Sequence, residues 1–125
     1  MNHATTAKRY FELLERGDTE GIIGLFAPQG RVQSPLYGLL PAPEFYSQLT
    51  ADTRDSRLEW DGLFGAEDGR LALVFYYNWT LASGAEVRFK VVDLLELDAQ
   101  GTITQLEIIY DTALSRQLWT ASRVK

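Results

Sequence analysis

The segment Val87–Leu97, VRFKVVDLLEL, decides the fold because apolar residues alternate along it with a more mixed set. In a strand, every second side chain points to the same face of the sheet. One face then carries Val87, Phe89, Val91, Asp93, Leu95 and Leu97. Asp93 therefore lies midway along an apolar face, where it needs hydrogen-bond partners or must keep its proton, since burial disfavours the charged form.

This position makes Asp93 the strongest functional candidate in the chain. A neutral carboxylic acid that faces a hydrophobic pocket can donate a hydrogen bond to an oxygen of a bound substrate. The structural alternative is an acid that ties a helix to the sheet, because buried carboxyl groups with that role are common.

Strand patterns also surround this segment. In Leu71–Leu81, LALVFYYNWTL, every odd-numbered residue is apolar. Arg57–Phe64 precedes that strand, and Thr102–Asp111 follows Val87–Leu97. Residues typical of turns separate the four predicted strands, at Asp68-Gly69, Ser83-Gly84 and Asp98–Gly101. We therefore expect a curved, mostly antiparallel sheet.

The N-terminal part of the chain predicts an amphipathic helix that ends at Gly17. Its apolar residues follow the i, i+3, i+4, i+7 spacing of one helix face. They are Ala7, Tyr10, Phe11 and Leu14. His3 is the single histidine, and we expect it in a frayed tail without a catalytic or ligand-binding role.

A second helix is predicted from Asp18 or Thr19, which would cap it, to Pro28, which would stop it. This helix would carry Ile22, Leu25 and Phe26. The next segment, Arg31–Ser34, has the pattern of a short strand that runs into the turn-rich sequence SPLYG.

A third helix is predicted to open at Pro41 and Pro43, since proline favours the first turn of a helix. Three helices followed by an antiparallel sheet indicate an α+β fold, in which the helices close one face of the sheet. We expect a cone-shaped, single domain over residues 1–125 that encloses an apolar pocket.

Composition excludes several classes of function. The net charge of −5 and the lack of a Lys/Arg cluster argue against a nucleic-acid partner. No apolar run approaches the roughly 18 residues of a spanning helix, and the N-terminus lacks the apolar run of a signal peptide, so no membrane partner is predicted. The absence of cysteine rules out thiolate chemistry and fits a cytoplasmic location.

Three stretches of the chain resemble a known family. They are KRYFELLERGDTEGIIGLFAPQGRVQSP (Lys8–Pro35), EFY (Glu44–Tyr46) and VVDLLELDAQGTI (Val91–Ile103). Together they are similar to the nuclear transport factor 2-like superfamily, and most closely to its ketosteroid isomerase and SnoaL-like polyketide cyclase branch. The helical motifs are typical of the whole superfamily, so they indicate the fold strongly and the chemistry weakly.

The resemblance to ketosteroid isomerases implies roles for individual residues. Tyr10 and a protonated Asp93 match the two donors of the oxyanion hole, and Tyr46 matches a tyrosine that hydrogen-bonds the first. Read from the residues alone, Tyr10 is more simply a core tyrosine with a satisfied hydroxyl group. The aspartate that moves the proton in the isomerase is replaced here by Ser34. An unactivated serine cannot abstract a carbon-bound proton near neutral pH.

The segment IIYDTALSRQL (Ile108–Leu118) resembles the same region of SnoaL-like cyclases, in which an aspartate acts as acid or base. Alternation along the strand, however, turns Asp111 away from the face of Ile108 and Tyr110. We expect Asp111 to cap a helix over Thr112–Trp119 instead.

Two functional hypotheses follow. In the first, the protein binds a small apolar carbonyl compound, steroid- or polyketide-like, and isomerises or cyclises it without a metal or organic cofactor. In the second, it is a non-catalytic ligand-binding or dimerisation module that has lost its general base. In both, the catalytic candidates Tyr10, Tyr46 and Asp93 face a pocket lined by Leu14, Phe26, Ser34, Phe45, Leu49, Phe75, Tyr77, Trp79, Val91, Ile108 and Tyr110.

The outer face of the sheet predicts a homodimer, which the resemblance also implies. Alternation places on that face the apolar residues Val74, Tyr76, Val92, Leu94 and Ile109. The alternative is that Ala113–Trp119 folds over this face within one chain. That segment could equally cap the mouth of the pocket.

Overall fold

A computed structural model describes residues 2–66 and 68–123. The elements are α1 (His3–Arg16), α2 (Thr19–Ile23), β1 (Phe26–Ser34), β2 (Gly38–Pro41), α3 (Ala42–Asp52), β3 (Thr53–Gly65), β4 (Arg70–Leu81), β5 (Glu86–Leu97), β6 (Ile103–Ile109) and α4 (Ala113–Ala121). Within these ranges, no helix has both the length and the apolar character needed to cross a membrane.

The six strands form one curved, unclosed sheet in the order β2-β1-β6-β5-β4-β3. The pair β1–β6 is parallel, and the other four neighbouring pairs are antiparallel. The N-terminal helices pack on one face of this sheet, and the core lies between them. The predicted α+β fold is therefore confirmed.

The period-two pattern of the central strands positions the core. The odd-numbered residues of β4 are buried, and those of β5 are buried or half-buried. Asp93 pairs with Leu73 on one side and with Ile108 on the other, so it lies in the middle of the sheet. The predicted turns before β4, β5 and β6 are present, each with a glycine at positive φ that other residues rarely adopt: Gly69, Gly84 and Gly101.

The predicted second helix was too long. Helix α2 ends at Ile23, and Phe26 begins β1, which continues through Pro28 to Ser34. Proline lacks the N–H group of a regular ladder, and Pro28 is tolerated because the β1–β6 register shifts between Phe26 and Arg31. The short edge strand β2 was not predicted.

The prediction of a frayed N-terminal tail was wrong. The Asn2 side chain accepts a hydrogen bond from the backbone N–H of Thr5 at 2.7 Å and caps α1, which starts at His3. The imidazole Nε2 of His3 lies 3.1 Å from the carbonyl oxygen of Asp98. Thr6 donates a buried hydrogen bond of 2.7 Å to the carbonyl of Gly101. These contacts fix the start of α1 to the β5–β6 turn.

Candidate functional site

A cavity of about 40 Å³ lies between the helices and the inner face of the sheet. Its wall is almost entirely apolar and aromatic, with Asp93 as the only carboxylate among the described residues that line it. The lining consists of Tyr10, Leu14, Ser34, Leu36, Tyr37, Phe45, Leu49, Phe75, Tyr77, Trp79, Phe89, Val91, Asp93, Ile108 and Tyr110.

The carboxyl group of Asp93 is buried, and its Oδ1 atom makes no hydrogen bond to a helix among the described residues. The residue is 2% exposed, and its Oδ1 atom has no hydrogen-bond partner among the described residues. Desolvation by burial raises the pKa of Asp93 well above its ordinary value. The raised pKa favours the neutral, protonated form of this carboxyl group.

Tyr10 and Tyr46 form a buried phenol pair beside the cavity. Helix α1 supplies Tyr10 and helix α3 supplies Tyr46, and their hydroxyl oxygens are 2.7 Å apart. Burial raises the pKa of both phenols, and the nearby Asp93 adds to the shift. Either hydroxyl can donate in this hydrogen bond, so one proton of the pair remains for another acceptor.

The structure brings most of the predicted pocket residues to the cavity wall, but not Phe26 or Tyr46. Phe26 opens β1 opposite Ile103, and its ring packs against Tyr46 at 5.7 Å between centroids. Its placement in the pocket was wrong because it belongs to a strand and not to the predicted second helix. Tyr46 does not line the cavity and is connected to it by the hydrogen bond between its hydroxyl group and that of Tyr10.

Three lining residues were absent from the predicted pocket: Leu36, Tyr37 and Phe89. Phe89 had a detectable signal, because it shares the odd-numbered face of β5 with Val91 and Asp93. Leu36 and Tyr37 lie in the turn between β1 and β2, where no periodic pattern indicates which side chains turn inward.

Aromatic side chains occupy most of the interior beside Asp93. The rings of Tyr77 and Phe89 stack with centroids 5.5 Å apart, and those of Phe89 and Tyr110 stack at 4.2 Å. Burial raises the pKa of Tyr77 to about 12 and that of Tyr110 to about 12. The wall is thus neutral near physiological pH.

Ser34, which the resemblance matches to the base of the isomerases, uses its hydroxyl group in the local turn. Its Oγ atom accepts hydrogen bonds from the backbone N–H groups of Leu36 and Tyr37, each 3.2 Å long. These contacts end β1 and fold the β1–β2 turn, as the sequence SPLYG predicts.

Asp111 is exposed and accepts a hydrogen bond of 3.0 Å from the backbone N–H of Ala113, the first residue of α4. It therefore supports the start of this helix and does not reach the cavity, although Thr112 occupies the N-cap position itself. In residues 2–66 and 68–123, no three His, Asp or Glu side chains cluster in a way that could hold a metal ion.

Helix α4 packs against Tyr37 of the cavity wall and against the β1–β2 turn. The ring of Trp119 meets that of Tyr37 edge-on, with centroids 5.5 Å apart, and Arg116 donates a hydrogen bond to the carbonyl of Pro35. On the opposite side of the sheet, Leu94 and Ile109 remain 38% and 46% exposed. The alternative in which α4 covers the outer face is therefore wrong for this chain.

Comparison with protein families shows which family the chain belongs to. The sequence profile of the SnoaL-like domain matches residues 7–106, which is most of the chain. The protein belongs to the SnoaL-like family. This assignment confirms the predicted resemblance to the nuclear transport factor 2-like superfamily. A search of curated proteins finds no match to this SnoaL-like chain.

Solved structures share the fold over nearly the whole SnoaL-like domain. A nuclear transport factor 2-like protein of unknown function from Burkholderia pseudomallei aligns with a TM-score of 0.83 at 21% identity, covering 96% of this chain and 98% of its own. A protein with a ketosteroid isomerase-like fold from Catenulispora acidiphila gives 0.78 at 12% identity, covering 96% and 97%. SalBIII, an epoxide hydrolase/cyclase-like enzyme, gives 0.75 at 15% identity, covering 87% and 90%. These TM-scores show a shared fold, and at such low identities they show the fold alone.

Proposed function

We propose that this SnoaL-like protein binds a small apolar compound through a carbonyl or enol oxygen, with Tyr10 and neutral Asp93 as hydrogen-bond donors. One observation carries the proposal. Asp93 is a buried acid with an unpartnered oxygen, and it lines the same apolar cavity as Tyr10. A buried polar group without a partner costs stability, and the oxygen of a ligand in the cavity would supply the missing partner.

The chemistry of the pair suits an oxygen that gains negative charge. If Tyr46 donates to Tyr10 across their 2.7 Å contact, the proton of Tyr10 is free for the ligand. Donors fixed in a dry site stabilise an enolate far better than water does. A steroid- or polyketide-like carbonyl compound that isomerises or cyclises through its enol fits this arrangement. SalBIII, an epoxide hydrolase/cyclase-like enzyme with a role in pyran ring formation, shares the fold and shows that this fold can host a cyclase-like enzyme.

The size of the cavity limits what the protein can hold without rearrangement. A volume of about 40 Å³ holds only a few water molecules, since one water needs roughly 10–15 Å³ of such volume. Sites for drug-sized ligands measure about 300–1,000 Å³. Binding of a bicyclic or larger compound therefore requires the aromatic wall to move.

Titration with 2-naphthol, a planar mimic of an enolate, tests the donor pair. We expect Asp93→Leu to weaken binding by about tenfold or more, since a hydrogen bond that involves a charged group contributes about 1.5–3 kcal/mol. Tyr10→Phe should weaken it in the same direction. Fluorescence or calorimetric titration measures both dissociation constants.

The matched control is Asp68→Leu, which removes an exposed carboxylate that pairs with Arg70 at 2.8 Å, away from the cavity. This variant should bind 2-naphthol as the wild type does. Equal affinities for the wild type, Asp93→Leu and Tyr10→Phe would refute the oxyanion-hole proposal.

A second candidate function is a binding module without catalysis. It is favoured because Ser34 stands in the place of the base, and because the described lining contains no carboxylate opposite Asp93. Isomerisation of a β,γ-unsaturated ketone separates the two functions. Turnover above the buffer rate that disappears in Asp93→Ala would exclude the binding module, and no turnover despite naphthol binding would establish it.

We also propose that two copies of the chain associate through the outer face of the sheet. Most charges among its apolar residues are paired, since Glu59 pairs with Arg88 at 3.2 Å and Asp61 pairs with Lys90 at 3.1 Å, while Glu107 lies beside Leu94. A surface with mostly paired charges and exposed Leu94 can meet an identical copy.

A further inference from the structure

We propose that the ligand enters beneath α4, and that Asp52 is the positioning residue that holds α4 and Tyr37 shut over the cavity. The inference deepens the proposed function, because it assigns the entrance of the same site and the device that closes it. It can be tested without any ligand, so its outcome is independent of whether an enolate mimic binds.

The exposure of the lining residues locates the entrance. Ten of the lining residues are buried, and the others are half-buried. The half-buried ones are Tyr37, Leu49, Phe89, Ile108 and Tyr110. A side chain that lines the cavity and is also exposed to solvent is the only layer between the cavity and the solvent. These residues therefore mark the thinnest part of the cavity wall. Helix α4 begins shortly after Tyr110 and lies against Tyr37.

Asp52, at the end of α3, accepts hydrogen bonds from three side chains, one in the cavity wall, one in α4 and one just after α4. Its Oδ2 atom accepts hydrogen bonds from the Tyr37 hydroxyl at 2.5 Å, from Nη2 of Arg123 at 2.6 Å and from Nε1 of Trp119 at 3.3 Å. The guanidinium of Arg123 also lies 3.9 Å from the centroid of the Trp119 ring. One carboxylate therefore connects the cavity wall with α4 and the residues that follow it.

The charge of Asp52 makes this connection stronger than a neutral contact. Burial alone would raise the pKa of Asp52, but the hydrogen bonds from Tyr37, Arg123 and Trp119 outweigh it and lower the pKa. The group is therefore ionised near neutral pH, and hydrogen bonds to an ionised acceptor are about twice as strong as neutral ones.

Apart from Asp52, α4 is held by the hydrogen bond from Arg116 to the carbonyl of Pro35 and by few buried side chains. Ser115 is its only fully buried residue, Leu118 and Trp119 are half-buried, and its remaining residues are exposed. Elements with few buried apolar groups open at low free energy, whereas a route through the sheet would have to break strand ladders. Since the cavity measures only about 40 Å³, a larger ligand needs part of its wall to move, and release of α4 from Asp52 is the opening that the proposal assigns.

Thiol labelling measures this opening directly. The chain contains no cysteine, so Val91→Cys places a single thiol in the buried wall of the cavity. In this background we expect Asp52→Ala to raise the rate of labelling by a small thiol reagent about tenfold, because it removes the shared acceptor. Arg123→Ala, which leaves the Tyr37–Asp52 contact intact, should raise it by a smaller factor.

Two controls distinguish the release of α4 from a general loosening of the fold. Leu95→Cys places the thiol on the same face of β5 but outside the cavity lining, and its labelling should not respond to Asp52→Ala. Arg57→Ala removes an exposed ion pair with Asp55 and should change neither rate. The proposal is overturned if Asp52→Ala leaves the labelling rate at position 91 unchanged, or if it raises the rates at positions 91 and 95 equally.

Discussion

Raising the pH should destabilise the protein by about 1.4 kcal/mol per pH unit between about pH 4, where Asp93 titrates in the unfolded chain, and its higher folded pKa. The cause is the raised pKa of the buried carboxyl group. Between the two pKa values the folded state holds the proton and the unfolded state has lost it, so each rise in pH favours unfolding. The contribution of Asp93 is complete below the unfolded pKa and disappears as the pH passes through the folded value.

Urea unfolding of the wild type and of Asp93→Asn across this range isolates the effect. The amide cannot titrate, so the difference in free energy of unfolding between the two proteins should shift steadily toward the variant as the pH rises. All other titrating groups cancel in that difference. A difference that stays flat, or that shifts toward the wild type, would show that Asp93 is ionised in the folded protein.

Leu94→Glu should convert the proposed dimer into a monomer of 14.1 kDa. Leu94 is 38% exposed in the middle of the outer face, where β5 lies between β4 and β6. In a symmetric dimer, the substitution brings two new carboxylates into one desolvated patch, and unpaired buried charges are strongly unfavourable. Light scattering at micromolar concentration gives the mass of each protein.

Leu114→Glu serves as the matched control, because Leu114 is 53% exposed on α4, on the other side of the molecule. This variant should keep twice the monomer mass. A wild-type protein that already has the mass of one chain, and that does not change with dilution or with Leu94→Glu, would exclude the outer-face dimer.

The sequence is sufficient to predict the central part of the fold, because its signals are local. Alternation along Leu71–Leu81 and Val87–Leu97 indicates two half-buried strands, and the glycines of the turns fix where the chain reverses. The same alternation places Asp93 inside. The helix pattern around Tyr10 orients that residue inward, so both candidate donors of the site could be found before the structure.

The remaining features depend on contacts that no local pattern encodes. Pro28 favours the end of a helix, yet pairing with β6 makes this stretch a strand. The four residues of β2 are too few to show a period. Asp52 gives no sign in the sequence that it will meet Trp119 and Arg123, since these residues are brought together only by the position of α4.

The place of β6 in the sheet has a consequence for how the protein is made. Strand β6 lies between β1 and β5, and its Leu106 pairs with Val32, from the first third of the chain. Until β6 has left the ribosome, the sheet remains in two separate parts, β2–β1 and β5–β4–β3. Until then the N-terminal helices keep apolar faces exposed to water, since contacts between distant parts of a chain form slowly. Chaperones that shield nascent apolar segments would thus meet this domain until β6 has been synthesised.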